Sequence, residues 1–169
     1  FPVLVIPHPK ANSQGLYPLK TNKTVVAITD HLTDDHQLID YSAAFLERPG
    51  KLVLVHLEDQ PTFDRYLEAI SRITTIDTEN ARQQLATQLL KAPEAFVQSC
   101  RERLNEAASG IDVMAIVEFA KGIDRFKDAI HEFEADLLVM KGIDHEQPGI
   151  HGLAQRLINE TRQIPVLVI

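Results

Sequence analysis

Three glycines, Gly142, Gly149 and Gly152, stand within eleven residues between an apolar run and a helical pattern. Glycines permit positive φ and let a backbone approach a ligand closely. The free amides that open a following helix attract anions, phosphate above all. A plain surface turn would carry the same glycines, so the loop alone does not decide between the two. Lys141, just ahead of them, can lend a positive charge to a phosphate or stand solvated. Asp30 closes the apolar run TVVAIT, where its carboxylate can accept hydrogen bonds from a ribose or an adenine amine. The competing role for an aspartate there is capping of the next helix. His31, His36, His56, His145 and His151 fall near the ends of apolar runs, with Asp30, Asp59 and Asp144 close by in sequence. Their spacing matches no compact metal-ligand motif, and scattered surface histidines explain them better. There is no GxSxG elbow, HExxH helix, GxxxxGK[ST] loop or CxxC pair. None of Ser13, Ser42, Ser71, Ser99 and Ser109 directly follows a buried-strand pattern, so no nucleophile is placed and enzyme chemistry has no support.

Composition bounds what these residues can serve. The 169 residues are 44% hydrophobic and 24% charged, enough for one domain with an ordinary core. A formal charge of −7 with no basic stripe argues against nucleic acid and against an anionic membrane surface. Cys100 is the one cysteine and lies in the apolar pattern Phe96, Val97, Cys100, Leu104, so a buried hydrophobe is expected and an internal disulfide is excluded. No apolar run approaches the roughly 20 residues that span a bilayer. A reducing cytoplasmic location fits this composition. The chain opens on Phe1, which fits a piece of something longer.

The elements that must position the loop follow from periodicity. Residues 24–29, 52–57, 113–117, 135–140 and 165–169 are short continuous runs rich in Val, Ile and Leu, the pattern of strands buried on both faces. Between them lie helical patterns at 33–48, 63–73, 78–90, 93–108, 124–133 and 153–161. Pro93 suits a first helical turn and predicts a break near Lys91 and Ala92. Alternation of strands and helices predicts a five-stranded parallel, Rossmann-like, doubly wound sheet with helices on both faces and a helical insertion after the second strand. Ligands in such sheets sit beyond the carboxyl ends of the strands, which selects Asp30, residues 56–59, 119–122 and 141–152. Residues 1–7 read as a further strand and 8–22 as a Pro-bearing linker, leaving 23–169 as the domain. The pentapeptide Pro2-Val3-Leu4-Val5-Ile6 recurs as Pro165-Val166-Leu167-Val168-Ile169, identical in five of five positions. Chance reuse of a small strand alphabet is one explanation; the end of a preceding homologous domain is the other.

The runs TVVAITD (24–30) and KLVLVHL (51–57), with the helix around DYSAA (40–44), resemble the opening half of a universal stress protein. Phe119, Ala120, Lys121 and Gly122, then ADLLVM (135–140) and PVLVI (165–169), resemble its closing half. The likeness spans 22–169 apart from a longer helical stretch near 61–91. It implies dimers, or a pseudo-dimer with a preceding homologous domain, paired through the last strand; members also occur attached to membrane transporters. Many members bind ATP through a loop G-x2-G-x9-G-[ST]. The match then assigns Asp30 as the acidic contact to the nucleotide, Val55 as the strand position whose backbone lies beside adenine, and Lys141, Gly142, Gly149 and Gly152 as the loop. The glycine spacing departs from that motif, and Leu153 stands where the family has Ser or Thr. Two functions follow: a non-enzymatic regulatory domain binding ATP, AMP or a related small ligand, or a ligand-free interaction and dimerisation module.

Overall fold

The computed structural model describes residues 2–7, 21–29, 35–73, 75–107, 110–142 and 150–169. In chain order they form β1 (Val3–Val5), β2 (Thr24–Thr29), α1 (His36–Phe45), β3 (Gly50–Asp59), α2 (Gln60–Ser71), α3 (Thr78–Ala107), β4 (Ile111–Ala120), α4 (Asp124–Glu132), β5 (Leu137–Met140), α5 (Ile150–Glu160) and β6 (Val166–Val168). The sheet order is β1-β6-β5-β2-β3-β4. All neighbours run parallel except β1, which pairs antiparallel with β6. The fold is therefore the expected Rossmann-like α/β arrangement. The five predicted parallel strands are all present, and a sixth makes the sheet mixed, because residues 3–5 join the β6 edge instead of standing apart.

Successive side chains of a strand face opposite sides of a sheet, and the core divides accordingly. Val25, Ala27, Leu52, Leu54, Leu137 and Val139 pack under α1 and α3, which supply Leu38, Ile39, Val97, Cys100 and Leu104. Val26, Ile28, Val53, Val55, Leu138 and Met140 pack under α4 and α5, which supply Phe126, Ala129, Ile130, Ala154 and Leu157. Each such buried aliphatic side chain contributes roughly 1.5–3 kcal/mol by leaving water. This two-sided burial is why the strand runs carry no polar alternation.

Asp136, the polar residue of ADLLVM, ties the sheet together at its amino edge. Its Oδ2 accepts hydrogen bonds from the backbone amides of Lys23 and Thr24, each 3.0 Å long, and its own amide donates to Thr24 O at 2.9 Å. The start of β2 is thereby pinned beside β5.

Several boundaries differ from the sequence expectation. The helix expected over 33–48 is shorter. It starts at His36 and stops at Phe45, with Leu46 extended ahead of Pro49. The break expected at Lys91 and Ala92 is absent: α3 runs unbroken through Pro93. A proline removes one amide donor and crowds the preceding turn, a local cost that the helix-forming residues on either side, such as Leu89, Leu90, Lys91, Glu94 and Ala95, carry the chain through. Gly110, at φ 97°, then makes the left-handed turn from α3 into β4. β3 and β4 are longer than expected and stay in register to Asp59↔Ala120. On its other side β3 pairs with β2 only as far as Thr29↔His56.

Candidate functional site

The carboxyl ends of β2, β3, β4 and β5 lie along one edge of the parallel sheet, and most of the residues singled out from the sequence fall at these strand ends or in the segments that follow them. Asp30 and Gly149 lie outside the described residues, as do His31, Thr33, Asp144 and His145. The others can be located.

Val55 is fully buried, in register with Ile28 of β2 and Ile116 of β4. Its side chain belongs to the core under α4 and α5, so only its backbone is offered to the edge. The β2–β3 ladder ends one pair later, at Thr29↔His56.

Lys141 follows β5 directly. Its Nζ lies 3.0 Å from Oδ1 of Asp35, whose side chain is 1% exposed while that of Lys141 is 36% exposed. Asp35 occupies the N-cap position of α1, yet its side chain makes no capping bond to the helix. The ion pair thus joins the connection after β2 to the connection after β5 across the mouth of the edge. Half-exposed on one side and buried on the other, such a pair fixes the direction of the ammonium more than it adds stability. Sequence reasoning missed Asp35. Asp35 falls inside the helical pattern read over 33–48, where an acidic residue in a first turn is ordinary, and nothing local reveals a partner just past a distant strand.

Gly142 has a structural reason of its own. Its amide donates to Ile169 O at 3.0 Å, and the amide of Ile169 donates to Met140 O at 3.0 Å. A Cβ built on Gly142 would come within 2.4 Å of Val168 Cγ1. Its φ is not positive, so the residue is glycine because the chain passes tightly over β6. Gly152 falls in the first turn of α5, where backbone amides have no partner inside the helix.

Further along the edge, on the α3 side, the buried His56 shares a 2.9 Å hydrogen bond between Nε2 and Glu58 Oε1. Phe119, at the end of β4, packs against Phe63 of α2 with ring centroids 4.5 Å apart. On the opposite face Arg125 of α4 bonds Glu118, and that bond holds the guanidinium pKa above its ordinary value. These contacts close the β3–β4 end with side chains from the helical insertion. Lys141 stands at the other, β2–β5 end of this edge, where among the described residues its partner is Asp35. Among the described residues no three His, Cys, Asp or Glu side chains converge as a metal site.

A hollow of about 520 Å³ lies at the opposite, amino edge, between the ends of α4 and α5. Lys127 lines it and already bonds Asp124 at 2.7 Å and Glu160 at 2.8 Å, while Asp136 is held by the two β2 amides. Lys127, Glu160 and Asp136 are thus engaged in holding helices and strands, whereas the buried hydroxyl of Thr161 in the same hollow has no hydrogen-bond partner among the described residues; the connections that carry the candidate residues lie at the other end of the sheet.

Comparison with known proteins follows the same lines. No curated protein matches the sequence. Among solved structures, the hypothetical protein MJ0577, whose biochemical function was assigned from its structure, is 14% identical with a TM-score of 0.65, covering 88% of this chain and 96% of that one. A universal stress protein family member from Burkholderia pseudomallei is 19% identical with a TM-score of 0.50, over 89% of this chain and 97% of that one. A universal stress protein in complex with cAMP is 16% identical with a TM-score of 0.48, over 88% and 97%. At such identities the first two of these likenesses bear on the fold alone. Among the described residues no helix is long and apolar enough to cross a membrane. The profile of the universal stress protein family matches residues 21–169, from just ahead of β2 to the residue after β6, and the chain belongs to that family.

Proposed function

We propose that this domain is a regulatory binding module, without a catalytic step of its own, that takes an adenine nucleotide or a related anionic small molecule at the β2–β5 end of the carboxyl edge. The observation that carries this reading is the ion pair between Lys141 and the buried Asp35. A lysine tethered in this way presents an oriented charge to a phosphate, and it keeps a buried partner if the ligand leaves. Asp30, on the connection after β2, would accept from a ribose hydroxyl or the adenine amine. The backbone at Val55 would flank the base, and Gly142, Gly149 and Gly152 would keep the loop close to the phosphates. Contacts to that loop would order it and bias how the domain packs on a neighbouring domain.

Calorimetric titration of ATP, ADP, AMP and cyclic AMP, with and without Mg²⁺, tests the reading. Saturable heat that disappears in Asp30→Ala and weakens in Lys141→Met is the expected result. The second reading, an interaction module that has lost the ligand, is favoured by Gly142 being accounted for through β6 and by Leu153 in the hydroxyl position. Absence of heat at about 100 μM protein, which leaves only affinities weaker than roughly millimolar, would select it.

A further inference from the structure

At the amino edge of the sheet, α4 and α5 both end on the hollow bordered by Lys127, Glu134 and Thr161. A helix carries partial negative charge at its carboxyl end, so the two ends together favour a cation there and disfavour an anion. The side chains agree in sign, with Glu134, Asp136 and Glu160 set against Lys127 and Arg162. Those two cations are already engaged. Lys127 Nζ bonds Asp124 and Glu160, and Arg162 Nε donates to Asn159 O at 2.8 Å.

Two acceptors in the hollow are not engaged. Thr161, the residue after α5, is 9% exposed, and its buried Oγ1 has no hydrogen-bond partner among the described residues. A buried hydroxyl nearly always has a partner, so this one calls for a group from outside them. The other is Glu134. Helix α4 ends in a paired cap, in which the Ala135 amide donates to Ile130 O at 3.0 Å and the Glu134 amide to His131 O at 3.1 Å. That cap sets Glu134 at φ 50°, a left-handed conformation in which glycine is the usual residue. The backbone thus favours glycine at 134. The chain instead has a glutamate there, exposed beside the hollow, whose carboxylate makes no hydrogen bond or ion pair among the described residues.

We infer that this hollow is a second binding site, separate from the carboxyl edge, for a small primary amine held as its ammonium ion. An ammonium is a compact charge with donors alone, which matches a site whose uncommitted groups are acceptors. Glu134 supplies the countercharge at the rim, and Thr161 a directed acceptor at the floor. The ends of α4 and α5 add to the attraction and keep phosphates out. The two edges of the sheet therefore take ligands of opposite sign.

Amide chemical-shift mapping of residues 1–169 with ethanolamine and with putrescine tests this, ethylene glycol and sodium chloride at equal concentration being the neutral and inorganic counterparts. Saturable shifts at residues 130–136 and 159–164, from an amine alone and complete by about 20 mM, are expected. Thr161→Val and Glu134→Gly should each weaken that binding at least about tenfold. Glu134→Gly should do so while melting at or above the wild-type temperature, because it relieves the left-handed residue, so that lost binding is not lost folding. Absence of saturable shifts from both amines would overturn the proposal, as would equal shifts from ethylene glycol or sodium chloride. Unchanged affinity in either variant would overturn it too, since diffuse attraction to an acidic surface would then account for the shifts.

Discussion

Replacing Gly142 by alanine separates a glycine kept for packing from one kept for a ligand. The added methyl would lie 2.4 Å from Val168 Cγ1, where ordinary contact is no closer than about 3.4 Å. Val168 cannot simply turn aside. It is β-branched, restricted at χ1, and packed against the core on the α4 and α5 side. Relief must come from shifting β6 away from β5, which strains the Gly142–Ile169 and Ile169–Met140 hydrogen bonds. Overpacking of this kind costs about 1–3 kcal/mol. For a domain of this size each kcal/mol lowers Tm by about 2–4 °C, so a fall on the order of 5 °C is expected. Urea denaturation of Gly142→Ala, Val168→Ala and the double variant measures it. Val168→Ala alone leaves a small void and costs about 1 kcal/mol. In the double variant the two methyl groups no longer compete, so its loss should match Val168→Ala and fall short of the sum by at least about 1 kcal/mol. Strict additivity, within about 0.5 kcal/mol, or an unaltered Gly142→Ala would refute the packing account.

Asp136→Ala leaves the amides of Lys23 and Thr24 without their carboxylate acceptor. A loss of about 1–3 kcal/mol in urea denaturation is expected, with faster exchange at Thr24. Leu157→Ala, at a fully buried position of α5, should cost about 2–5 kcal/mol, against less than about 0.5 for the exposed Tyr66→Ala of α2. Burial pushes the Cys100 thiol above its ordinary pKa of 9.0, with Arg103 opposing and Asp40 and Asp35 adding to the rise. The folded state then holds its proton more tightly than the unfolded chain, so the contribution of this thiol to stability is fully present below pH 9 and is lost as pH rises past it. Denaturation between pH 8 and 10.5 should show that decline in the wild type and a shallower one in Cys100→Ala; parallel curves would contradict it.

Much of this fold was legible in the chain because parallel strands buried on both faces leave a simple trace. TVVAIT, LVLVHL and LLVM carry apolar residues at every step, and the helices between them show the matching 3.6-residue period. Element ends were less legible. The helix expected from Thr33 begins at His36, and Pro93 sits inside α3 because its neighbours favour helix on both sides. The antiparallel seat of β1 could not be read from periodicity, since pairing direction is a tertiary property. At the site, Lys141 and the glycines stood out by type, whereas Asp35 did not. Its role comes from a partner far along the chain, and an acidic residue there is ordinary in a helix's first turn. Gly142 illustrates the converse: a residue type associated with phosphate loops is accounted for by the side chain of Val168.

On the function proposed above, the β2–β5 end of the carboxyl edge takes an anionic nucleotide. Amide chemical-shift mapping during titration with AMP and ATP tests it most directly, because it reports place as well as binding. Saturable shifts gathered at Asp35, Val55, Lys141, Gly142 and the first turn of α5, all reduced in Lys141→Met, are the expected result. Shifts gathered instead around Lys127, Glu160 and Thr161 at the amino edge, or none up to millimolar nucleotide, would contradict it.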